Sequence, residues 1–183
     1  MTAIAGVVKD GTVYMGADGI AVDDSGVQHS RADSKLCILH GGFLIGGAGS
    51  PRMFQLVEYV LDLPLIKEGV DFQWMVRCFI PPLRKLMKSH LAEDEDGDLN
   101  GGLLVGVEGR LYEVQADYQV AEHEQDYWAI GNGREVCLGS LASTANYTEP
   151  ERRIQVAIGA AAEHLVTVGG KLTILSVAKG SAW

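Results

Sequence analysis

The clearest candidate for chemistry is Thr2, which stands directly behind Met1. If Met1 is removed, Thr2 carries a hydroxyl and a free α-amine, whose ordinary pKa is roughly 7.7–8.0. Such an amine can accept the proton of the hydroxyl on the same residue, which makes this pair a recognised activated nucleophile. The alternative is that Thr2 has no chemical role, because a threonine after the first methionine is common. A retained Met1 would lock the amine in an amide and favour that alternative.

Two other patterns point to ligands but fit them poorly. Gly46 to Gly49 precedes a predicted helix and could bind phosphate, but it lacks the G-x-x-x-x-G-K-[ST] pattern. Asp96 to Gly101 fits the start of a calcium-binding loop, but the closing acid, Glu108, comes one residue late. The histidines have no metal-type spacing. The sequence therefore predicts no metal and no cofactor.

Thr2 begins a segment that predicts a β-hairpin. Small and β-branched residues run from Ala3 to Val8 and again from Thr12 to Ala17. Lys9-Asp10-Gly11 between them has the residue types of a tight turn, because glycine adopts a positive φ without strain. The hairpin would hold Thr2 at the start of a strand with a fixed geometry, and Asp18-Gly19 would close it.

Further strands are predicted from apolar runs that are bounded by turn residues. They cover residues 35–39, 43–45, 102–107, 110–115 and 127–130. A last hairpin is predicted from residues 166–168 and 171–177.

Four helices are predicted, the first and the last from the helical spacing of their apolar side chains. The first begins at Pro51, with Ser50 as its N-cap. The second spans residues 71–91, where a Pro-Pro pair must kink or split it. The third spans residues 134–143, and the fourth follows a capping box that starts at Thr148. Hairpins that alternate with helices predict one α+β domain, residues 1–183, with mainly antiparallel sheets covered by helices.

Composition limits the class of protein. The chain has 183 residues, of which 47% are hydrophobic and 21% charged, as in a globular domain with a substantial core. The formal net charge of −9 argues against nucleic acid and anionic membranes as partners. No apolar run reaches the roughly 18 residues of a membrane span, and Lys9 and Asp10 interrupt any signal-peptide core. Three cysteines without metal spacing are expected to be buried and reduced, so we expect a cytoplasmic protein.

Four motifs, taken in their order and spacing, resemble those of one known family. They are Thr2-Ala3-Ile4, Gly16-Ala17-Asp18-Gly19, Ser34-Lys35-Leu36 and Ile45-Gly46-Gly47-Ala48-Gly49. The chain resembles the proteasome β-subunit and HslV group of N-terminal-nucleophile hydrolases over nearly its whole length, apart from residues 69–100. The resemblance implies a four-layer αββα sandwich, in which two mainly antiparallel sheets lie between helix layers.

The resemblance also implies roles for individual residues. The hydroxyl of Thr2 would be the nucleophile and its α-amine the proton shuttle. Lys35 would favour the deprotonated forms of both, and Asp18 would pair with Lys35. Gly46 and Gly47 would contact the substrate. The backbone N–H of Gly47 would be the oxyanion donor, and Gly46 would leave the side-chain pocket open. The reaction would be peptide-bond hydrolysis through an acyl-enzyme ester on Thr2.

The chain departs from the family at two positions. Asn132 stands where the family usually has a serine that bonds the nucleophile's amine, and asparagine can still donate and accept there. Glu163 falls where relatives carry a supporting aspartate, but it is equally explained as an exposed helix charge. Without the resemblance, Asp18 is also explained as a turn residue and Lys35 as a charge at the start of a strand.

The resemblance implies partners as well. Family members form stacked rings with the active sites inside, so a homo-oligomer of stacked hexamers or heptamers is expected. Unfolded protein or peptide would be the substrate, and an ATPase unfoldase would deliver it. Two alternatives remain open at this point: a non-catalytic, ring-forming scaffold with the same fold, and a small-molecule amidase of the same superfamily. Intact Thr2, Asp18 and Lys35 favour the peptidase over the scaffold.

Overall fold

The hairpin predicted at the start of the chain is present in the computed structural model, which describes residues 2–23, 25–66 and 69–181. Strand β1 (Ala3–Lys9) pairs with β2 (Thr12–Ala17) in an antiparallel register that sets Ile4 opposite Ala17. Both turn residues between them, Asp10 and Gly11, have positive φ, at 49° and 75°. Such turns follow the twist of the two strands. The hypothesis about Met1 lies outside the described residues.

Nine further strands follow in the described chain. They are β3 (Ile20–Val22), β4 (Gln28–Ser30), β5 (Leu36–Leu39), β6 (Phe43–Gly49), β7 (Gly101–Val107), β8 (Arg110–Val114), β9 (Val120–Glu122), β10 (Tyr127–Gly131) and β11 (Thr173–Ala178). Strands β3, β4 and β9 were not predicted, because each has only three residues, fewer than the four to eight of a recognisable strand pattern.

The strands form two large sheets and one small ribbon. The four-stranded sheet has the order β10-β1-β2-β11, and the five-stranded sheet has the order β5-β6-β7-β8-β9. Strands β3 and β4 pair only with each other among the described residues. Every pairing is antiparallel, as predicted.

The helices cover the outer faces of the two sheets. They are α1 (Pro51–Tyr59), α2 (Phe72–Trp74), a π-helical turn (Met75–Phe79), α3 (Ile80–Ser89), α4 (Arg134–Ser143) and α5 (Pro150–His164). Residues of α1 and α3 pack on the five-stranded sheet, and residues of α4 and α5 pack on the four-stranded sheet. A third cluster, which includes Ile4, Met15 and Leu104, fills the space between the sheets. The four-layer αββα sandwich is therefore confirmed. Within the described part of the chain, no helix is long and apolar enough to span a membrane.

Strand β6 is longer than predicted. The expected strand ended at Ile45, but pairing with β7 continues through Gly46 to Gly49, which lies opposite Gly101. Glycine is required in this part of β6 because the surrounding groups leave no room for a side chain. A Cβ on Gly46 would lie 2.9 Å from the side chains of Ile4 and Met15.

Several helix and strand boundaries also need correction. The break in the second helix is a π-helical turn directly before the prolines, which cannot donate to the carbonyls of the preceding turn. Helix α5 has Glu149, not Thr148, at its N-cap, because Pro150 at the first position already fixes a helical φ. The prediction of a last hairpin is wrong: β11 forms alone, and it pairs with β2.

All three cysteines are free. Cys37 and Cys78 differ in burial, however, because Cys37 is buried and Cys78 is half-buried, whereas all three were expected to be buried.

Candidate active site

The polar centre of the site is Asp18, whose side chain is fully buried just after β2. Its Oδ1 accepts a hydrogen bond from Lys35 Nζ at 2.7 Å and from the Ala3 N–H at 2.9 Å. Its Oδ2 accepts from the Gly169 N–H at 3.3 Å and from the Ile20 N–H at 3.4 Å. One carboxylate therefore joins segments that lie up to 151 positions apart in the chain, and hydrogen bonds to an ionised acceptor are among the strong ones.

Lys35 directly precedes β5, and its side chain is only 12% exposed. Burial lowers the pKa of Lys35 below its ordinary value, although the hydrogen bond and charge of Asp18 act in the opposite direction. The lysine next to Asp18 therefore gives up its proton more readily than an exposed lysine does. A buried lysine with a shifted pKa that lines a cleft is a candidate functional residue.

Thr2 is 4% exposed and is held by main-chain contacts. Its carbonyl accepts the N–H of Gly133 at 3.2 Å, and the next residue, Ala3, bonds Asp18 through both its N–H and its carbonyl. Gly131 has φ +89°, and a Cβ there would lie 2.3 Å from the Thr2 carbonyl oxygen. The β10–α4 turn can thus approach Thr2 only because residue 131 is glycine.

Thr2 lies where two clefts meet. The first cleft has a volume of about 250 Å³, and its lining includes Lys35, Gly47, Gly49 and Phe54 as well as Thr2. The second cleft is larger, about 630 Å³. It is lined by Thr2 and by several polar side chains, including Glu113, Gln115, Asn132 and Arg134. An extended chain that crosses Thr2 would place one of its sides in each cleft.

The oxyanion donor expected at Gly47 is already engaged, since the Gly47 N–H donates to the Lys35 carbonyl at 3.1 Å. Gly49, two residues further on, lines both clefts with Thr2, but its φ of +122° is not that of an extended strand.

Gly46 also differs from its expected place. A Cβ on Gly46 would meet the side chains of Ile4, Met15 and Leu36, so this residue faces the core between the sheets. Gly47 faces the opposite side, where a Cβ would lie 2.4 Å from the Phe54 ring. Of the two glycines, only Gly47 lines a cleft with Thr2.

Asn132 lies in the second cleft and is exposed. Its Nδ2 donates to Thr167 Oγ1 at 2.7 Å, so the amide nitrogen is directed to the loop before β11. Glu163 is an exposed residue of α5, as its simpler explanation predicts. Among the described residues, no group of three or more His, Cys, Asp and Glu side chains is arranged to hold a metal ion.

Sequence reasoning missed two glycines that build the site, Gly133 and Gly169. They donate through backbone N–H groups, which carry no residue-specific signal. The available hint was the clustering of glycine at residues 131–133 and 169–170, because glycine is used where backbones approach closely.

Comparisons with known proteins place this geometry in a structural class. No family model and no curated protein matches the sequence. The chain is similar to solved structures of the BPH protein of Thiobacillus denitrificans, one of them in complex with epoxomicin. The TM-scores are 0.80 and 0.79, with 21% identity over 98% of this chain and 100% of the other. It is also similar to eukaryotic HslV from Trypanosoma brucei, with a TM-score of 0.70 and 19% identity over 96% and 98% of the two chains.

The fold is therefore the proteasome-type fold of N-terminal-nucleophile hydrolases. The HslV-type resemblance drawn from the sequence motifs is confirmed at the level of the fold.

Proposed function

We propose that the chain is a threonine endopeptidase of the proteasome and HslV type, in which Thr2 is the nucleophile once Met1 is removed. One observation carries the proposal. The buried Asp18 carboxylate binds both Lys35 and the backbone N–H that directly follows Thr2. This contact brings a lysine with a lowered pKa to the same cleft as the threonine hydroxyl.

The reaction proceeds in two steps. The Thr2 α-amine takes the proton of Oγ, and Oγ attacks the carbonyl carbon of the substrate peptide. The charge of Lys35 favours the deprotonated forms, and a backbone N–H donates to the oxygen that becomes negative. Loss of one such donor typically lowers the rate by about 10²–10³. The proton passes to the leaving amine, and water then hydrolyses the ester on Thr2.

The substrate is an unfolded segment of protein, and the site acts inside a homo-oligomeric ring in the cytoplasm. A site that recognises a peptide mainly through its backbone is safe for a cell only where folded proteins cannot reach it. Stacked hexamers or heptamers would provide that containment, and an ATPase unfoldase would deliver the chain.

The test is the intact mass of the purified protein before and after treatment with a peptide epoxyketone. That reagent needs both a hydroxyl and a free α-amine on one residue to form its double adduct. The expected result is a protein without Met1 that gains one adduct, mapped to Thr2. The Thr2→Val variant, which keeps the side-chain shape but lacks the hydroxyl, should gain none.

Retained Met1 and no adduct would overturn the proposal and favour the ring-forming scaffold. An adduct on Thr2 together with cleavage of small amides, but not of peptides or unfolded protein, would favour the amidase.

A further inference from the structure

The second cleft contains a buried acid, Glu113, that the proposed mechanism does not use. Glu113 lies on β8, and its side chain is only 8% exposed. Its Oε2 accepts from Trp128 Nε1 at 3.0 Å and contacts His123 Nε2 at 3.3 Å, while Oε1 accepts from Arg134 Nη1 at 3.3 Å.

The partners of Glu113 also pack on one another. The rings of His123 and Trp128 are stacked, with centroids 3.3 Å apart and planes 14° apart. The guanidinium carbon of Arg134 lies 5.0 Å from the centre of the Trp128 ring, within the range of a cation–π contact. The four side chains therefore form one unit, which we call the Glu113 cluster.

The Glu113 cluster holds both ends of the turn that contacts Thr2. Trp128 lies in β10 before the turn, and Arg134 begins α4 after it. Between them, the Gly133 N–H donates to the Thr2 carbonyl, and Gly131 approaches the same oxygen. The side chains of Trp128 and Arg134 both donate to the carboxylate of Glu113, which belongs to a strand of the other sheet.

We propose that Glu113 is a positioning residue for Thr2. It does not touch the reacting atoms. It acts through Trp128 and Arg134, which fix the β10–α4 turn against the Thr2 carbonyl. The kinetic consequence rests on the proposed function, whereas the structural consequence does not. A small displacement of a reacting group is costly, since a shift of about 1 Å can lower a rate by about 10²-fold.

Arg153 provides a matched control, because it contacts β10 and α4 at the ends that lie away from the turn. Arg153 is also a buried charge, 4% exposed, that binds a carboxylate, Asp126, at 3.2 Å and lies over an aromatic ring, Tyr127, at 5.3 Å. It additionally donates to the carbonyl of Leu141 in α4 at 3.1 Å. Arg153→Ala therefore removes a similar buried contact from β10 and α4 without touching the turn.

The first experiment measures the rate constant and affinity of Thr2 modification by a peptide epoxyketone. We expect Glu113→Ala to lower the maximal modification rate by about 10- to 100-fold, with affinity changed by less than about threefold. Glu113→Gln should lose less, because its amide oxygen still accepts from Trp128. Arg153→Ala should lower the melting temperature but leave the rate per folded molecule within about threefold of the wild type. Equal rate losses in Glu113→Ala and Arg153→Ala would overturn the proposal.

The second experiment does not depend on activity. Hydrogen exchange at the Gly133 amide reports its bond to the Thr2 carbonyl, and we expect Glu113→Ala to speed this exchange by at least about tenfold. Arg153→Ala should not do so. Unchanged exchange at Gly133, or equal acceleration in both variants, would overturn the positioning role even if Thr2 is never modified. If Glu113→Ala does not fold, Glu113→Gln carries both measurements.

Discussion

Two buried carboxylates, Asp18 and Glu113, support the surroundings of Thr2, but they are held in different ways. Among the described residues, three of the four groups that donate to Asp18 are backbone N–H groups, and the fourth is the Lys35 side chain. The three described groups that contact Glu113 are all side chains. The place of Asp18 is therefore set by the path of the chain, whereas that of Glu113 is set by the identity of its neighbours.

This difference predicts different sensitivities. The surroundings of Asp18 should tolerate few changes that move the backbone, because its donors belong to several distant segments. The surroundings of Glu113 should respond to single side-chain replacements that leave the backbone in place.

The largest effect is expected for Asp18→Ala. This change removes the acceptor of four donors among the described residues and breaks the buried ion pair with Lys35, which typically costs about 3–5 kcal/mol. Chemical denaturation should show this loss, and the epoxyketone adduct on Thr2 should be absent. Glu163→Ala, at an exposed position of α5, is the control and should change stability by less than about 0.5 kcal/mol. Wild-type stability of Asp18→Ala would contradict the description of Asp18 as the centre of the site.

The second prediction concerns the backbone approach of Gly131 to Thr2. Gly131→Ala forces a Cβ to within 2.3 Å of the Thr2 carbonyl oxygen at a φ of +89°, so we expect a loss of about 1–3 kcal/mol. The rate of Thr2 modification should fall as well. Gly139→Ala in α4 meets nothing within 4 Å and should stabilise the protein by about 0.5–1 kcal/mol. The same small change in both variants would show that the turn is not in close contact with Thr2.

The third prediction concerns Glu113, whose position is set by the side chains that bind it. Trp128→Phe keeps an aromatic ring but removes the Nε1–H that donates to Glu113, which should cost about 1–2 kcal/mol. Differential scanning calorimetry measures the change. Trp74→Phe is the matched control, because the Trp74 ring stacks on Phe43 in the core between the five-stranded sheet and its helices. A larger loss in Trp74→Phe would mean that ring packing, not the hydrogen bond, dominates at Trp128.

The smallest effect is a dependence of stability on alkaline pH. The pKa of Lys35 is lowered mainly by burial, so the folded state releases this proton at a lower pH than the unfolded state does. Between the lowered pKa and the ordinary value of 10.5, the unfolded state binds more protons, and stability therefore rises with pH.

Urea denaturation at several pH values tests this. The wild type should gain stability relative to Lys35→Met as the pH rises towards 10.5. Arg134→Met should follow the wild type in this range, because arginine keeps its proton in both states. A falling difference between the wild type and Lys35→Met would contradict the direction given for Lys35.

The sequence predicted those parts of the fold whose signals are local. The first hairpin and α4 were predicted closely, because an apolar run on each side of a turn indicates the hairpin and a stretch of small residues indicates α4. The extension of β6 through Gly49 was missed, since glycine carries no strand signal and pairing with β7 decides the conformation there. Thr148 was wrongly taken as a helix cap, although Pro150 starts α5.

The candidate site divides in the same way. Thr2, Asp18 and Lys35 were singled out through residue type and motif, and the structure brings them together. The donors Gly133 and Gly169 act only through the backbone and depend on long-range packing. Glu113 could not be found from the sequence, because a glutamate in a strand is normally exposed and its three partners lie 10 to 21 residues away.

Strand β6 runs past the start of β5, and this overhang has a general consequence. The bond from Gly47 to the Lys35 carbonyl joins the two strands, and β6 then continues to Gly49 beside Thr2. Among the residues that the structure describes, no strand pairs with this side of β6 beyond Gly47, which leaves a short open edge at the clefts. An extended chain placed along that edge would pair with it as an added strand. Main-chain groups are the same in every polypeptide, so hydrogen bonds to this edge would not depend on the amino-acid sequence of the bound chain.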